Sequence, residues 1–379
     1  MKLIHLSDLH LGKQVNNYSM LEDQKYILTK ILNIIDGEAP DAVLIAGDVY
    51  DKAVPPAQAI GLFDDFLVRL AKRKLQVFVI SGNHDSPERI AFGSRLMDAA
   101  GIHLSPVYSG EISPIRLEDR WGGVNFYMLP FIKPAHVRRF FENEPTDTYT
   151  DALRTALSHL PLDSGERNVL LTHQFVTGAA RSDSEEISVG GSDNVDASVF
   201  DDFDYVALGH IHSPQNCGSV RIRYCGTPLK YSFSEARDHK SVTAAELEEK
   251  GKLTVRTVPL IPQHEMTELR GTFAQLTDRA FYENHTWQDD YTHLTLTDEE
   301  DIPDAIGKLR LVYRNLMKLD YDNTRTRAAA QITGPEISEK PSVLQLFSDF
   351  YQMQNNQPMR PEQLVFLEEL IEKAQEAMQ

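Results

Sequence analysis

The residue types best suited to metal chemistry occur in five short clusters, each of which follows an apolar stretch. These clusters are Asp8-Leu9-His10, Gly47-Asp48, Gly82-Asn83-His84-Asp85, Thr172-His173 and Gly209-His210-Ile211-His212. Carboxylate and amide oxygens and imidazole nitrogens are ligands that divalent cations accept. Two cations can share such a site when one carboxylate lies between them and the other side chains fill the outer positions. The clusters therefore predict a two-metal centre organised around Asp48.

The elements that must position these clusters are short strands that alternate with helices. The runs from Ala42 to Ala46 and from Val77 to Ile80 are continuously apolar, which indicates strands buried on both faces. Apolar residues at helical spacing predict helices at about 20–35 and 56–72. The helix start Ser86-Pro87-Glu88 predicts a helix at 88–100, and another helix is predicted at about 150–160. The alternation of strands and helices predicts an α/β body with a sheet core.

The order of the five clusters from Asp8 to His212 is far more specific than any one residue in them. A Gly-Asp pair by itself is common, and a lone histidine is more often a surface or structural residue than a ligand. We therefore interpret eight histidines outside the clusters as surface or structural residues: His5, His103, His136, His159, His239, His264, His285 and His293.

Composition limits the class of protein. The chain has 41% hydrophobic and 25% charged residues, as globular proteins do, and no apolar run approaches the length of about 18 residues that spans a bilayer. Met1-Lys2 leads directly into a predicted strand, so we expect no signal peptide, no membrane contact and a cytoplasmic location. Cys217 and Cys225 are expected to be reduced structural thiols. The net charge of -18 argues against a protein that coats DNA non-specifically, but bound cations would still permit a nucleic-acid enzyme.

The five clusters resemble the motifs of the calcineurin-like metallophosphoesterases, over about residues 1 to 260. Within that superfamily the whole chain resembles the SbcD family, the nuclease subunits of bacterial SbcC–SbcD complexes. The support is the run from Met1 to Gly12, the run Gly47-Asp48-Val49-Tyr50-Asp51, and Gly209-His210-Ile211-His212. The resemblance implies a four-layer α-β-β-α sandwich with a small α+β capping domain and a C-terminal helical tail. It also implies Mn²⁺-dependent hydrolysis of DNA, exonucleolytic at double-stranded ends and endonucleolytic on single strands and hairpins, in repair, recombination and replication.

The resemblance also assigns roles to individual residues. Asp8, His10, Asp48 and His212 are expected to hold one metal ion, and Asp48, Asn83, His173 and His210 the other. Manganese is the expected ion, and magnesium is the alternative. His84 is expected to steady the phosphate or to protonate the leaving oxygen, and Asp85 is expected to orient the His84 imidazole.

Four regions are expected along the chain: a nuclease domain at 1–262, a capping domain that selects DNA shape at 263–322, a polar linker at 323–340 and a helical tail at 341–379. The two predicted tail helices have apolar faces that must be buried against a surface, either the rest of this chain or a partner. The resemblance implies that this surface belongs to an SbcC-type coiled-coil ATPase. It also implies a homodimer, which could form through the helices at 56–72 and 88–100. A long polar loop at 176–194 lies next to the expected site.

Two other functions remain open. A protein phosphatase or small-molecule phosphodiesterase could use the same centre, but the capping domain, the tail and the lack of Arg-Gly after Asp51 count against it. The second is a binding protein, a relative without activity that serves as a scaffold. The complete set of expected ligands counts against it, because a scaffold need not retain them. Asp51 itself departs from the archaeal and eukaryotic relatives, which carry a histidine there. Two basic clusters, at 69–74 and 133–139, are interpreted either as contacts for the DNA backbone or as ordinary solvated surface.

Overall fold

The computed structural model describes residues 1–180, 182, 185, 193–324, 326, 344, 347, 348, 351 and 359–376. Residue contacts divide the chain into two compact units. The first unit comprises Met1–Glu268, Asn284–His293 and Arg310–Lys318. The second comprises Leu269–Glu283, Leu294–Leu309 and Leu319–Gln379.

The strands, in chain order, are β1 (Lys2–Leu6), β2 (Gln14–Val15), β3 (Tyr18–Ser19), β4 (Ala42–Ala46), β5 (Gln76–Ile80), β6 (Ile102–Leu104), β7 (Ile115–Asp119), β8 (Gly122–Leu129), β9 (Arg167–His173), β10 (Phe175–Val176), β11 (Asn194–Val195), β12 (Tyr205–Gly209), β13 (Gln215–Cys217), β14 (Ser219–Tyr224), β15 (Ser241–Leu247), β16 (Leu253–Pro259), β17 (Met266–Gly271), β18 (Tyr291–Leu296) and β19 (Asn315–Tyr321). The helices are α1 (Leu21–Glu38), α2 (Ala57–Ala71), α3 (Pro87–Ile90), α4 (Ser94–Met97), α5 (Pro134–Arg138), α6 (Tyr149–Ser158), α7 (Phe273–Thr277), α8 (Arg279–Tyr282), α9 (Ala305–Arg310) and α10 (Pro361–Glu376). Short 3-10 helices lie at Asp98–Ala100, Ala197–Phe200 and Phe233–Glu235.

Two six-stranded sheets build the first unit, with strand orders β16-β15-β1-β4-β5-β6 and β13-β14-β12-β9-β8-β7. Strands β1, β4, β5 and β6 are parallel in the first sheet. Strands β8, β9, β12 and β14 are parallel in the second. The carboxyl ends of parallel strands lie at one edge of a sheet, where ligands commonly bind. Each sheet therefore gathers the residues that follow several of its strands.

Three buried apolar clusters give this unit its layers. One lies between the two sheets, and in it the rings of Phe78 and Phe126 stack with centroids 4.4 Å apart. Another joins the first sheet to α1 and α2 through residues such as Ile31 and Phe66. The third joins the second sheet to α6 through residues such as Leu153. The resulting order of helix, sheet, sheet and helix confirms the predicted four-layer fold.

The helices follow the sequence pattern except at one place. Helix α1 buries the predicted stripe, which consists of Ile27, Leu28, Ile31, Leu32 and Ile35. The single helix predicted at 88–100 is wrong, because the segment divides into α3, α4 and a 3-10 turn. Gly93 separates α3 from α4 with a left-handed φ of 76°, a conformation that ends helices and that glycine adopts without a steric cost.

Strands β17, β18 and β19 form a three-stranded sheet, and α7, α8 and α9 lie in its connections. This combination is the α+β arrangement that was expected for the capping region. Helix α10 lies where the second tail helix was predicted. Most of the first predicted tail helix and of the polar linker lies outside the described residues. None of the helices described is both long and apolar enough to cross a membrane.

Candidate metal centre

Backbone pairing beyond the strand ends brings the first two clusters together. The N–H of Asp8 donates to the carbonyl of Gly47 (3.0 Å), and the N–H of His10 donates to the carbonyl of Asp48 (3.0 Å). The loops after β1 and β4 therefore run side by side. In the second sheet Gly209 pairs with His173, so the ends of β9 and β12 are level with each other.

Four of the clustered residues other than glycine have left-handed backbone conformations. The φ angles are 51° at Asp8, 44° at His10, 47° at Asp48 and 105° at His210. Residues with a Cβ atom rarely adopt positive φ, and such strain persists where the surrounding structure enforces it, commonly at functional sites. Among the described residues other than glycine, these four account for four of the nine that have positive φ.

Two glycines permit the close approach of these loops. A Cβ atom on Gly82 would lie 2.1 Å from Asp48 Oδ1, and one on Gly209 would lie 1.9 Å from the carbonyl oxygen of Ala46. Both distances are far inside van der Waals contact, and the second involves backbone that cannot rotate away. The glycine before His210 is therefore required by packing between the two sheets, and the glycine before Asn83 is required by packing between two loops of the first sheet.

The first group of ligand atoms comes from Asp8, His10 and His212, whose donor atoms lie within 4.8 Å of one another. His10 Nε2 is 3.2 Å from His212 Nε2 and 3.8 Å from Asp48 Oδ2. Two imidazole nitrogens that face each other at this distance cannot both carry a proton without a clash. A shared cation would satisfy both.

The second group surrounds the side-chain oxygen of Asn83. Asn83 Oδ1 is 2.9 Å from His173 Nε2 and 3.0 Å from His210 Nδ1. His173 Nε2 is also 3.3 Å from Asp48 Oδ2, so Asp48 contacts both groups. His173 Nδ1 donates to the carbonyl of Ala46 (2.9 Å), which fixes the ring and leaves Nε2 as its ligand atom.

The geometry and chemistry of these donors fit divalent cations. An octahedral site with bonds of about 2.1 Å places neighbouring donors about 3 Å apart, close to the separations seen here. Asp8 and Asp48 are 0% and 2% exposed, and two buried carboxylates need nearby positive charge. Burial and the charge of Asp48 raise the pKa of Asp8, whereas the surrounding histidines hold the pKa of Asp48 well below its usual range against the effect of burial. His10 Nδ1 is buried and has no hydrogen-bond partner among the described residues.

His84 lies at the edge of both groups. Its backbone N–H donates to Asp48 Oδ1 (2.9 Å), and its Nε2 is 3.9 Å from Asp48 Oδ2. Its Nδ1 is 3.1 Å from the carbonyl oxygen of Asp51, to which it can donate. Its ring packs edge-on against His10, with centroids 4.9 Å apart. The imidazole is therefore held in place and remains partly exposed beside the expected ligands.

Asp85 does not orient His84, contrary to the expectation from sequence. Its carboxylate accepts the backbone N–H groups of Val49 (3.0 Å), Tyr50 (2.9 Å) and Gly82 (3.0 Å). It joins the loop after Asp48 to the turn before Asn83, so it acts as a positioning residue for the backbone. Burial and the charge of Asp48 raise the pKa of Asp85 to about 7, and the three N–H groups oppose that rise.

The structure adds residues that sequence reasoning missed. Glu235 Oε1 lies 3.5 Å from His212 Nδ1, and its other oxygen accepts a bond from Lys240 (2.5 Å). Burial opposes ionisation of Glu235, but His212 and Lys240 lower its pKa to about 2. Glu185, from the long loop at 176–194, accepts the backbone N–H of His212 (2.6 Å). No motif marks Glu235 or Glu185, because both support His212, which lies 23 residues from Glu235 and 27 from Glu185 in the sequence.

The basic cluster at 69–74 belongs to the helical layer. Arg73 forms a two-bond ion pair with Asp36 of α1 (both 2.7 Å), and Arg69 pairs with Asp65. In the cluster at 133–139, Arg138 donates to Thr146 (3.1 Å). Arg69, Arg73 and Arg138 are therefore each bonded to a neighbouring side chain of this chain.

Comparison with known proteins agrees with this geometry. A family profile for calcineurin-like phosphoesterases matches residues 1–214, and one described as the type 5 capsule protein repressor C-terminal domain matches residues 262–355. The D subunit of the nuclease SbcCD from Staphylococcus epidermidis is 34% identical over 323 residues, which is 84% of this chain and 85% of the relative. The same subunit from Staphylococcus saprophyticus is 32% identical over 323 residues, covering 84% of each chain.

Solved structures show weaker likeness. A dimetal phosphatase from Danio rerio has a TM-score of 0.45 and 14% identity, covering 69% of this chain and 96% of that one. A structure of the protein TT1561 from Thermus thermophilus has a TM-score of 0.37 and 13% identity, covering 68% and 98%. Likeness at this level carries no functional argument. The family profile and the clustered aspartates and histidines identify a site for divalent metal ions. The chain therefore belongs to the calcineurin-like phosphoesterase family and, within it, to the SbcD nuclease subunits.

Proposed function

We propose that the chain hydrolyses DNA phosphodiesters with two divalent cations, as the nuclease subunit of a complex with an SbcC-type ATPase. The observation that carries this proposal is the position of Asp48. Its Oδ2 is 3.3 Å from His173 Nε2 and 3.8 Å from His10 Nε2, so one carboxylate is common to both ligand groups. The relatives named as subunits of the nuclease SbcCD support DNA as the substrate and the ATPase as the partner.

The ligand assignment follows the two groups. In this proposal Asp8, His10, Asp48 and His212 hold one cation, and Asp48, Asn83, His173 and His210 hold the other. Mn²⁺ is the proposed ion, because a set of four imidazoles with carboxylate and amide oxygens suits it better than Mg²⁺, which prefers oxygen donors.

His84 is the proposed catalytic residue. Divalent cations held by these ligands would supply Lewis acidity to the phosphodiester and to a bound water molecule. Because the carbonyl of Asp51 accepts from Nδ1 of His84, its Nε2 is left for the substrate. With both nitrogens protonated, this ring can bind a phosphate oxygen or donate a proton to the leaving oxygen. General acid catalysis of this kind contributes about 10²–10⁴-fold.

The test is cleavage of end-labelled linear duplex DNA with Mn²⁺ by the wild type, His84→Ala and His159→Ala. His159 is a matched control, because it stacks on Phe141 and pairs with Glu144 away from the ligands. We expect His84→Ala to lose at least about 100-fold of the rate while binding Mn²⁺ with the wild-type stoichiometry. Loss of Mn²⁺ from His84→Ala would make His84 a ligand or structural residue instead. If the wild type, with ATP and its ATPase, hydrolyses phosphomonoesters and not DNA, the chain is a phosphatase.

The C-terminal tail is the proposed binding region for the ATPase. On α10, Phe366 and Leu370 are 66% and 52% exposed and lie four residues apart, which places them on one face of the helix. We expect Phe366→Glu/Leu370→Glu to lose co-elution with the ATPase in gel filtration. Lys308→Glu, at an exposed residue of α9, is the control and should still bind. If both variants still bind the ATPase, the tail helix is not part of the interface.

A homodimer is the proposed assembly. Phe92 and Leu96, in and beside α3 and α4, are 81% and 84% exposed, a large apolar surface for a free monomer. Phe92→Glu/Leu96→Glu should be monomeric by light scattering. Leu311→Glu, at a residue that is 85% exposed elsewhere on the unit, should remain dimeric. A monomeric wild type would contradict the proposal.

The proposed domain limits keep the expectations from sequence: a nuclease domain at 1–262, a cap at 263–322, a linker at 323–340 and a tail at 341–379. The cap is proposed to select DNA shape, so its deletion should change the preference among ends, hairpins and single strands.

The cytoplasm is the proposed location, in keeping with a DNA substrate and with Cys217 and Cys225, which are both free thiols.

A further inference from the structure

A cleft of about 700 Å³ opens in the first unit, and its lining contains none of the expected metal ligands. The lining includes Lys13, Tyr231, Phe233, Arg237, His293 and Lys318, and we name it the basic cleft. These residues come from the segment after His10, from the loop after β14, and from β18 and β19, so the fold assembles the cleft from distant parts of the sequence.

The basic cleft shares a wall with the metal centre. Lys13 Nζ donates to Asp51 Oδ1 (2.8 Å), and Asp51 holds His84 through its carbonyl (3.1 Å). The ring of Tyr231 packs edge-on against that of His10, with centroids 5.7 Å apart, and its hydroxyl donates to the carbonyl of Leu9 (2.6 Å). A strand with one phosphate at the metal centre can therefore continue into the cleft.

The charge of the basic cleft is opposite to that of the chain as a whole. The chain has a net charge of -18, yet Lys13, Arg237 and Lys318 line one cleft together. Lys13 is partly neutralised by Asp51, and the acidic residue Glu268 pairs with His293 (3.1 Å). Arg237 is exposed and forms no ion pair with any residue that the structure describes. An exposed guanidinium without such an ion pair is suited to bind phosphate groups.

The aromatic residues of the cleft add a second preference. Phe233 is half-buried and its ring meets that of His293 at a tilt, with centroids 5.2 Å apart. Exposed aromatic faces beside cations are the common arrangement for unpaired bases, which stack on the ring while the phosphates meet the charges. A volume of about 700 Å³ also falls within the range of about 300–1,000 Å³ that holds one small ligand. It is sufficient for one or two nucleotides.

We propose that the basic cleft binds the unpaired nucleotides next to the scissile phosphate, with Arg237 and Lys318 at phosphates and Phe233 under a base. This proposal rests on the function proposed above and names a site for single-stranded DNA within it. Its consequence is that a DNA end must separate its strands locally before cleavage. The cleft thus selects structures in which bases near the cut are already unpaired.

The test is the salt dependence of binding to fluorescein-labelled oligo-dT, measured by anisotropy on the full chain in EDTA. The cleft variant is Arg237→Ala/Lys318→Ala. The control is Arg120→Ala/Lys252→Ala, which removes the same charge at the β7–β8 and β15–β16 turns, away from the ligands. Each phosphate contact contributes about 0.7 to the slope of log affinity against log salt for single strands. The slope should therefore fall by about 1.4 in the cleft variant and stay unchanged in the control.

A second variant tests the base contact. Phe233→Leu should weaken oligo-dT binding by about 5- to 150-fold and leave the salt slope unchanged. An unchanged slope in Arg237→Ala/Lys318→Ala overturns the proposal, as does an equal loss of slope for blunt duplex DNA. Because binding is measured without metal, these results are independent of catalysis. Mn²⁺-dependent cleavage by the wild type tests the proposed nuclease separately.

Discussion

Replacing Glu235 with glutamine tests the buried support behind His212. The side chains of Glu235 and Lys240 are 0% and 2% exposed and pair at 2.5 Å. Breaking a buried pair by removal of one partner costs about 3–5 kcal/mol. Lys240 keeps the carbonyl of His212 (3.0 Å) and Asp238 (3.6 Å), so we expect the lower value, about 3 kcal/mol. The fall in the pKa of Glu235 from 4.5 to about 2 corresponds to a similar value, about 3–4 kcal/mol, because each tenfold change in proton affinity is worth about 1.4 kcal/mol.

The assay is the free energy of unfolding at pH 7, from guanidinium denaturation, together with calorimetric titration of Mn²⁺. Glu235→Gln should lose about 3 kcal/mol, and Mn²⁺ affinity should fall by about 10- to 100-fold because His212 loses its supporting carboxylate. Adding Lys240→Met should restore most of the stability, but not the affinity. The control is Glu265→Gln, which breaks the ion pair between Glu265 and Lys230. That pair is also 2.5 Å long, but the Glu265 side chain is 43% exposed, so this substitution should lower the free energy of unfolding by less than about 1 kcal/mol. If Glu235→Gln and Glu265→Gln behave alike, the reasoning is refuted.

Three other predictions concern pH, packing and metal. Burial lowers the pKa of His5 from 6.5 to about 3, so unfolding takes up a proton at acidic pH. The stability that neutral His5 contributes is complete above pH 6.5 and falls by about 1.4 kcal/mol per pH unit below it. In guanidinium denaturation, the wild type should therefore lose about 2 kcal/mol more than His5→Gln between pH 7 and 5. Equal losses in the two proteins would contradict this prediction. Gly82→Ala should abolish Mn²⁺ binding in calorimetry, because its Cβ atom would lie 2.1 Å from Asp48. The control is Gly61→Ala, whose Cβ atom would have no neighbouring atom within 4 Å. It should bind the metal and raise the free energy of unfolding by about 0.5–1 kcal/mol. Mn²⁺ at 100 times its dissociation constant should stabilise the fold by about 2.7 kcal/mol over the EDTA-treated protein, and an unchanged melting temperature would argue against a site at Asp48.

Much of the centre could be predicted from the sequence because its ligands follow strands. Continuous apolar runs identify buried parallel strands, and the carboxyl ends of such strands meet. The structure accordingly brings Asp48 close to His10 and His173, although 125 residues separate Asp48 from His173. Local spacing failed at Asp85, however. Its neighbour in sequence is His84, but its carboxylate binds the backbone of the loop after Asp48.

By itself, the sequence determined the layered α/β class, the family and the set of side chains with metal-ligand chemistry. Those properties are local, since strand burial and ligand type can each be read from a few residues. Only the tertiary structure decided what surrounds that set. Glu235 behind His212, and Arg237 with Lys318 in the basic cleft, depend on how the loop after β14 and the strands β18 and β19 pack. Burial and charge pairing of this kind arise between residues distant in sequence, and no local pattern records them.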